Sequence, residues 1–359
     1  MKVYVVTEVA KPFYYAPLEK LKQKGEIEDW ELWSFRTFRP ALKNTLIKLG
    51  LVEGREYEPL NLKEFFMRLF LPLRMLFWDN IIFGMEPFDV KVIYPLIMKF
   101  LGKNIVEYTS WPYWEGNFQP RTGVPGVRLL WRLFLRNLRV VAVTPAAKKA
   151  VEGFEPAAKV AQIPHSVDLE KFKPRGLKGE TLGVKKRMTV ITLVQLYPEK
   201  GIRQIIELAK RIPEADFVVV SRGGTMEEEV GKAEEKLKNF KWVGDKGREK
   251  KLREADIFVL ASYRIPRWEE LFGMAVVEAM ASGLPVVATD SVGPRGIVEE
   301  GKTGFIVPQK DTDALEGKIR LLLGDSELRR RMGERSHEVA KRKYNIGGIT
   351  EKWLRVITA

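Results

Sequence analysis

The second half of the chain alternates short apolar segments with segments of helical periodicity, and this alternation constrains the fold more than any other feature. Between residues 188 and 290, five runs rich in Val, Ile and Phe are separated by four amphipathic segments. The apolar runs do not alternate with polar residues, which indicates that both faces of their sheet are covered. The pattern therefore predicts a parallel sheet with helices on both faces, the doubly wound Rossmann-like arrangement.

The N-terminal half carries a weaker version of the same pattern. Five candidate strands lie in it, at residues 3–9, 30–35, 80–85, 104–110 and 140–145. Helical segments separate these strands, including 62–78 and 127–138. A second Rossmann-like domain is the economical interpretation.

A chain of 359 residues exceeds the usual size of a single core. The stretch 171–187 is rich in Lys and Gly and has the composition of a linker. We therefore expect an α/β protein with a first domain over 1–175 and a second over 176–340. A C-terminal helix at 341–359 is expected to pack back on the first domain.

The composition excludes several classes of site. The absence of Cys removes disulfides, thiolate nucleophiles and sulfur ligands to metals, and it suits an intracellular chain. Two histidines, His165 and His337, are too few for a histidine-rich metal site or a conventional Ser-His-Asp triad. No segment has the roughly 20 uninterrupted apolar residues of a membrane span, and the N-terminus does not read as a signal peptide. The high content of Lys, Arg and Glu would suit a thermophilic source.

Ligands of open parallel sheets bind beyond the carboxyl ends of the strands, so the loop after the fourth strand of the second half is informative. This loop contains Glu270, and the helix that follows contains Glu278. Open amides of Gly273, Met274 and Ala275 at the start of the helix would suit a phosphate. Flanking carboxylates can accept hydrogen bonds from hydroxyl groups, so the combination suits a phosphate attached to a sugar.

Spacing alone also allows a structural interpretation of these residues. Glu270 would then be a solvated loop charge, and Glu278 a first-turn glutamate stabilised by the helix dipole. Lys200, expected at the start of the helix after the first strand of this half, can reach a phosphate bound between neighbouring strand ends. A single lysine in a turn is nevertheless more often a solvated charge.

Taken as an ordered set, these segments resemble the donor-binding half of family 4 glycosyltransferases of the GT-B fold. The resemblance rests on PEKG at 198–201, the stretch 269–290 with both glutamates, and EEGKTGFIVP at 299–308, and it extends over roughly 140–345. It implies two Rossmann-like domains that face each other across a cleft. It also implies retaining transfer of a hexosyl group from a UDP- or GDP-sugar to a saccharide or lipid-linked acceptor, with no metal or other cofactor required.

The resemblance also implies a role for each matching residue. Glu278 would hold the ribose hydroxyls, Glu270 the donor sugar and Lys200 the diphosphate. The amides of residues 273–275 would hold the distal phosphate. Glu270 and Lys200 are the expected catalytic residues, because a fixed cation favours a leaving group whose negative charge grows.

The resemblance extends to the residues near the base of the donor, but one cation that the family usually has is absent. Trp242 and Val243 are expected near the base of the donor. Gln195 stands where family members usually have an arginine on the diphosphate. Gln195 can still donate a neutral hydrogen bond, and Arg264 or Arg267 is a candidate replacement for the charge.

The acceptor side departs further from the family. The usual Gly-rich first loop is replaced by residues 11–15, and the expected histidine after the fourth N-terminal strand is replaced by Ser110 and Trp111. Tyr14, Tyr15, Ser110 and Trp111 are therefore the acceptor-side candidates. An inactive relative that binds nucleotide sugar without transfer is the main alternative, and a nucleotide-sugar epimerase of the same fold is a lesser one.

Two further motifs have a structural explanation as well as a functional one. Residues 311–313 spell Asp-Thr-Asp, an acidic triplet that binds metal in the other large glycosyltransferase fold. Because a helical segment follows directly, an N-terminal helix cap explains the triplet better. His165 occupies a position where the family usually has Asn, and we expect a structural or cleft-lining role for it.

Two basic segments suggest peripheral contact with a membrane. Arg128, Arg132 and Arg136 recur every four residues beside an apolar stripe, and the 62–78 segment, with Phe65 and Phe66, is basic and rich in Phe and Leu. Such segments can lie on anionic lipid at the inner face of a membrane, or simply pack on their own sheet. A nucleic-acid partner is not expected, because the positive charge behind the pI of 9.6 is spread over both halves.

Overall fold

The computed structural model describes residues 1–7, 11–34, 70–85, 87–114, 125–175, 187–266 and 268–359. These residues form two compact units, the first Met1–Ile163 with Ile349–Ala359 and the second Pro164–Gly348. The division falls at Pro164 rather than near residue 176, because Ile163 belongs to the core of the first unit whereas Val167 bridges to Asn345. The linker expected at 171–187 lies largely outside the described residues.

The first unit is built on a six-stranded parallel sheet. Its strands are β1 (Lys2–Thr7), β2 (Asp29–Ser34), β3 (Asn80–Gly84), β4 (Asn104–Thr109), β5 (Arg139–Ala142) and β6 (Lys159–Gln162). They run in the order β2-β1-β3-β4-β5-β6. β6 is a strand that the sequence pattern did not predict. It is a four-residue edge strand with no fully buried residue, so its sequence lacks the apolar run that marks the other strands.

Helices cover both faces of this sheet. They are α1 (Ala16–Gln23), α2 (Leu71–Met75), α3 (Ile93–Phe100), α4 (Val127–Asn137) and α5 (Pro145–Phe154), with 3-10 turns at Pro12–Tyr15 and Val90–Val92. Residues of α2 to α5 pack into one core cluster with Ile81, Phe83 and Val140 of the strands. On the other face, α1 packs together with Trp353 and its neighbours near the end of the chain. Of the segment predicted to be helical at 62–78, residues 62–69 lie outside the described residues.

The second unit has the fold that its alternating sequence predicts. Its strands are β7 (Thr189–Leu193), β8 (Asp216–Val220), β9 (Phe240–Val243), β10 (Ile257–Leu260), β11 (Val286–Thr289) and β12 (Gly304–Val307). The order β12-β11-β10-β7-β8-β9 is the Rossmann order, in which β7 and β10 are neighbours and the chain leaves them toward opposite edges. All residues of β10 and β11 are buried, which explains why their sequences show no polar alternation.

The helices of the second unit cover its sheet on both faces. They are α6 (Ile202–Arg211), α7 (Glu227–Lys236), α8 (Arg248–Glu254), α9 (Met274–Ala281), α10 (Val292–Ile297), α11 (Thr312–Gly324) and α12 (Ser326–Tyr344), followed by α13 (Ile346–Thr358), whose last residues belong to the first unit. In α6, Ile202, Ile205, Ile206 and Ala209 recur at helical spacing and pack into the core. None of the helices in the described ranges combines the length and the apolarity that crossing a bilayer requires.

Candidate active site

The carboxyl ends of β7 and β10 are adjacent at the point where the strand order of the second unit reverses. Ligands of doubly wound sheets bind at this switch point, because the loops after the two strands separate and leave a crevice. The loop after β7 contains residues 194–201, and the loop after β10 contains residues 261–273. Both loops carry residues that the sequence singled out.

A lysine and a glutamate from these two loops form an ion pair. The Nζ atom of Lys200 lies 2.6 Å from the Oε2 atom of Glu270, and both side chains are less than one-fifth exposed. Lys200 also lies over the ring of Trp268, 4.4 Å from its centroid. The interpretations of Lys200 and Glu270 as isolated solvated charges are therefore wrong, because each has an opposite charge beside it in a partly buried site.

Backbone geometry brings Lys200 to this position. Lys200 ends the 3-10 turn Pro198–Lys200, rather than starting a helix, and Gly201 follows with φ of 74°. A Cβ atom on Gly201 would lie 2.2 Å from the carbonyl oxygen of Ala261 just beyond β10, so only glycine allows this approach. The turn is also tied to the β10 loop by a hydrogen bond from Tyr263 N to Glu199 O at 2.9 Å.

The loop that carries Glu270 is held equally closely. Gly293 N donates to Glu270 O at 2.9 Å, and a Cβ atom on Gly293 would lie 2.1 Å from the carbonyl oxygen of Phe272. Gly273 then enters α9 with φ of 93°, a backbone conformation that other residues rarely adopt. Close packing against α10 thus positions the start of α9 next to Glu270.

The first amides of α9 point out of the helix without internal partners. Among the described residues, no carbonyl or side chain accepts a hydrogen bond from the N–H groups of Gly273, Met274 or Ala275. Open amides at a helix N-terminus favour an anion through both hydrogen bonds and the helix dipole. This end of α9 has the donors that a phosphate needs.

Glu278 lies one turn further along α9 and is buried. Its Oε1 atom accepts a hydrogen bond from Arg248 Nη2 at 2.6 Å. Burial raises the pKa of Glu278 to about 7, while the positive charges of Arg248 and Lys171 oppose this shift. The first turn of α9 contains no acidic residue, so the interpretation of Glu278 as a first-turn glutamate stabilised by the dipole is wrong.

The sequence of this unit matches the family model described as Glycosyl transferases group 1 over residues 178–339. This segment contains the ion pair, the α9 amides and Glu278. Residues 178–339 are therefore similar in sequence to the group 1 glycosyltransferases.

Two curated relatives show how far the likeness to known proteins extends. The chain is 30% identical over 196 residues to a GDP-mannose-dependent alpha-(1-6)-phosphatidylinositol monomannoside mannosyltransferase of Mycolicibacterium smegmatis, covering 50% of this chain and 51% of the relative. It is 31% identical over 194 residues to a UDP-Gal:alpha-D-GlcNAc-diphosphoundecaprenol alpha-1,3-galactosyltransferase of Escherichia coli, covering 47% of this chain and 46% of the relative. The chain thus spans about half the length of the curated relatives that it matches.

A solved structure resembles the whole chain. The crystal structure of Anabaena Alr3699/HepE in complex with UDP has a TM-score of 0.71 and 16% identity, and it covers 100% of both chains. At this identity the likeness concerns the fold alone. Together with the two six-stranded Rossmann-like units, it confirms the expected GT-B fold class.

Arg248 is a charged residue of the second unit that no sequence motif singled out. It is the first residue of α8, and Gly247 precedes it with φ of 68°. The helix dipole repels a cation at a helix N-terminus, so Arg248 needs a carboxylate partner. This unfavourable placement is the feature of the sequence that could have pointed to Arg248. The partner is Glu278, and the guanidinium also lies 5.7 Å from the ring centroid of Phe172.

Glu269 is a second buried carboxylate that the sequence analysis did not single out. Its Oε1 atom accepts a hydrogen bond from Val292 N at 3.0 Å, at the start of α10. Arg264 lies beside it, with 3.8 Å between Nε and Glu269 Oε2. Arg264 therefore pairs with Glu269 rather than standing beside Lys200, and Arg267 lies outside the described residues.

The remaining donor-side candidates also lie at the carboxyl ends of strands of the second unit. Gln195 is exposed in the loop after β7. Trp242 and Val243 end β9, two strands away from β7, and both are half-buried. The ring of Trp242 packs against the core of the unit, so only part of it is available to a base.

The Asp-Thr-Asp triplet has the structural role that was expected. The side chain of Asp311 accepts a hydrogen bond from Ala314 N at 2.8 Å and caps α11. Asp313 pairs with Arg211 at 2.6 Å on the surface. Among the described residues there is no group of three or more His, Asp or Glu side chains arranged to hold a metal ion.

His165 is buried against Phe272, two residues before the first residue of α9. Its ring lies 4.7 Å from that of Phe272, nearly perpendicular to it. Phe272 in turn contacts Tyr344, whose pKa is raised by burial. This position agrees with a structural role for the histidine.

The acceptor-side candidates lie in the first unit, in the segments that follow β1 and β4. Tyr14, Ser110 and Trp111 are half-buried. Trp111 donates from Nε1 to Tyr113 O at 2.8 Å. Tyr15 is almost completely buried in the core, and burial raises the pKa of its phenol.

Proposed function

We propose that this chain is a retaining glycosyltransferase that moves a hexosyl group from a nucleotide-diphosphate sugar to a saccharide or lipid-linked acceptor. The observation that carries the proposal is the Lys200–Glu270 pair beside the open amides of α9, at the strand-order switch point. A UDP- or GDP-sugar is the expected donor. The mannosyltransferase relative is named for GDP-mannose, and the galactosyltransferase relative for UDP-Gal.

The residues of the site divide the donor between them. Lys200 would contact the diphosphate, and the amides of Gly273, Met274 and Ala275 would contact its distal phosphate. Glu270 would accept hydrogen bonds from the hydroxyls of the donor sugar, and Glu278 from those of the ribose. Without a donor, Lys200 and Glu270 neutralise each other at 2.6 Å, and donor binding would exchange this contact for bonds to phosphate and sugar.

The same residues account for catalysis. In the proposed step, the acceptor hydroxyl oxygen bonds to the anomeric carbon while the bond from that carbon to the diphosphate oxygen breaks. The hydroxyl proton passes to the departing phosphate. Lys200 and the α9 amides stabilise the leaving group more as its charge grows, which lowers the barrier and makes a metal ion unnecessary.

Retention follows if the acceptor attacks on the face from which the phosphate leaves. No enzyme nucleophile is needed for that geometry. Tyr14, Tyr15, Ser110 and Trp111 stay predictions for the acceptor side, as do the assignment of the first domain to the acceptor and of the second to the donor. A cytoplasmic location, at the inner face of a membrane where the acceptor is lipid-linked, belongs to the same proposal.

Calorimetric titration with UDP, GDP and ADP, with and without EDTA, tests the donor site. We expect one nucleotide to bind selectively and EDTA to leave its affinity unchanged. Lys200→Ala should weaken that binding roughly 10-fold to 100-fold, the value of one or two charge-assisted hydrogen bonds. Lys302→Ala, a change of an exposed turn lysine in the same unit, is the matched control and should bind normally. Equal affinities of both variants would contradict the role of Lys200.

A second candidate, a relative that binds nucleotide sugar without transfer, is motivated by one observation. Gln195 is neutral and exposed after β7, where a cation on the diphosphate was expected. Release of UDP or GDP from the matching sugar nucleotide separates the two candidates. Binding without turnover in the wild type, together with turnover in Gln195→Arg, would favour the inactive relative.

A further inference from the structure

Exposed apolar side chains are concentrated in one part of the first unit. Of the fourteen large hydrophobic side chains that are exposed in the described residues, eleven lie within 70–77, 90–101 and 129–133. The most exposed are Phe77 at 84%, Phe100 at 73% and Leu129 at 72%. Leu321 is the one member of this set in the second unit. Clusters of this kind mark a surface that binds a partner.

Helices place these side chains on a common face. α2, α3 and α4 all pack on the same side of the sheet, with Met75, Leu96 and Trp131 turned toward the core. α3 also contacts α4 directly. The exposed side chains of 70–77, 90–101 and 128–136 therefore lie on the outer surface of this helical layer, which we call the apolar-basic face.

The charges on this face have a single sign. The segments 70–77, 90–101 and 128–136 contain six Lys or Arg residues and no Asp or Glu. On α4, the exposed Arg128, Arg132 and Arg136 alternate with the exposed Leu129 and Leu133. A basic, apolar helix surface of this kind fits a layer of anionic headgroups above acyl chains.

The arginines are held close to the apolar side chains. The guanidinium of Arg132 lies 5.2 Å from the ring centroid of Phe154. Three carboxylates border the face and each is paired, Glu155 with Arg136 at 2.9 Å, Asp89 with Lys91 at 3.2 Å and Asp79 with Lys103 at 2.9 Å. Glu155 and Asp89 are buried, and the exposed Asp79 is neutralised by Lys103, so the face keeps an excess of positive charge.

We propose that the apolar-basic face docks the protein on the surface of an anionic lipid bilayer. Leu129, Leu133 and the phenylalanines insert at the level of the headgroups, and Arg128 and Arg132 bind lipid phosphates. A second copy of the chain fits less well, because it would place arginines against arginines. A lipid-linked acceptor would meet the enzyme at this surface, so the role of the surface in transfer rests on the proposed function. The docking itself needs no nucleotide-sugar donor.

Vesicle co-sedimentation of the full chain tests this proposal. Vesicles of phosphatidylcholine alone are compared with vesicles that also contain phosphatidylglycerol, at low and high salt. We expect binding only to the anionic vesicles and a loss of binding as salt rises. The double variant Leu129→Ser/Leu133→Ser should lose at least tenfold in binding. Leu321→Ser, which changes an exposed helical leucine of the second unit, should bind as the wild type does.

Charge is tested separately at one arginine. Arg132→Gln should weaken binding severalfold, whereas Arg132→Lys should retain it. Wild-type protein that stays in the supernatant with anionic vesicles would overturn the proposal. A dimer in sedimentation velocity that the double leucine variant abolishes would overturn it in favour of a second copy.

Nucleotide titration of the same variants separates the two proposals. If the double leucine variant binds UDP or GDP as the wild type does, its donor site is intact and the lost vesicle binding belongs to the apolar-basic face. If the wild type binds vesicles but no nucleotide, the donor-site proposal fails and the docking proposal stands.

Discussion

Burial sets the protonation of two glutamates, one in each unit. Glu278 is buried beside Arg248, and its pKa rises to about 7. Glu107, on β4 of the first unit, is fully buried, and burial raises its pKa well above the usual value. These two carboxyl groups therefore hold their protons to a higher pH than an ordinary exposed glutamate does.

The raised pKa of Glu278 predicts a specific pH dependence of stability. Its value of about 7, against the ordinary 4.5, means that the folded state holds the proton more tightly than the unfolded state does. The free energy of unfolding should therefore fall as pH rises from 4.5 to about 7, by roughly 3 kcal/mol for a shift of this size. Glu278→Gln should remove this contribution. Urea unfolding at several pH values measures it.

An exposed glutamate provides the control for this experiment. Glu235→Gln, on α7 of the same unit, should leave the pH profile as it is in the wild type. A profile of Glu278→Gln that keeps the full wild-type slope would show that another group titrates there.

At the scale of elements, the site depends on glycines that let backbone segments approach closely. Gly201 allows the turn after β7 to contact the end of β10, and Gly293 allows the start of α10 to contact Phe272. Both contacts involve backbone carbonyl oxygens, which a side chain cannot displace without moving a whole segment. The relative positions of Lys200 and Glu270 therefore follow from backbone packing rather than from the ion pair alone.

Gly201→Ala should disturb the site and the stability together. Its Cβ atom would lie 2.2 Å from Ala261 O, and φ is 74°, so we expect a loss of about 2 kcal/mol or more in the free energy of unfolding. Nucleotide affinity should fall as well, because Lys200 moves with the turn. Denaturant unfolding and calorimetric titration measure the two effects.

Gly301→Ala is the matched substitution for this test. Gly301 has φ of 68° but nothing within 4 Å of its Cβ position. The substitution should therefore lower the free energy of unfolding by only about 1 kcal/mol and leave nucleotide binding intact. Equal losses in both variants would mean that backbone conformation, not the contact with Ala261, determines the effect.

At the scale of the whole molecule, the chain begins and ends in the first unit. Residues 349–359, at the end of α13, join the core of that unit on the face that α1 covers. Trp353 is buried there, and its ring centroid lies 5.5 Å from that of Tyr108 on β4. The first unit is therefore complete only when the last residues of the chain are in place.

Trp353→Ala should destabilise the first unit selectively. Removing a buried tryptophan costs about 3–5 kcal/mol through lost packing and the cavity that it leaves. Amide hydrogen exchange should show faster exchange in β1, β3 and β4, with β7 and β10 unchanged. Glu351→Ala, at an exposed position of the same helix, is the control. Equal acceleration in both sheets would contradict the assignment of this helix to the first unit alone.

The parallel sheets, the covered faces of the second unit and the cap at Asp311 could be predicted from the sequence, because strand and helix periodicity and capping are local properties. It also indicated that Lys200, Glu270 and the start of α9 follow strand ends, where ligands of parallel sheets bind. The folded structure was needed to show that Arg248 binds Glu278, that Glu269 binds the start of α10, and where the units divide. The partner of a buried charge depends on packing between segments distant in the chain, which no local pattern encodes.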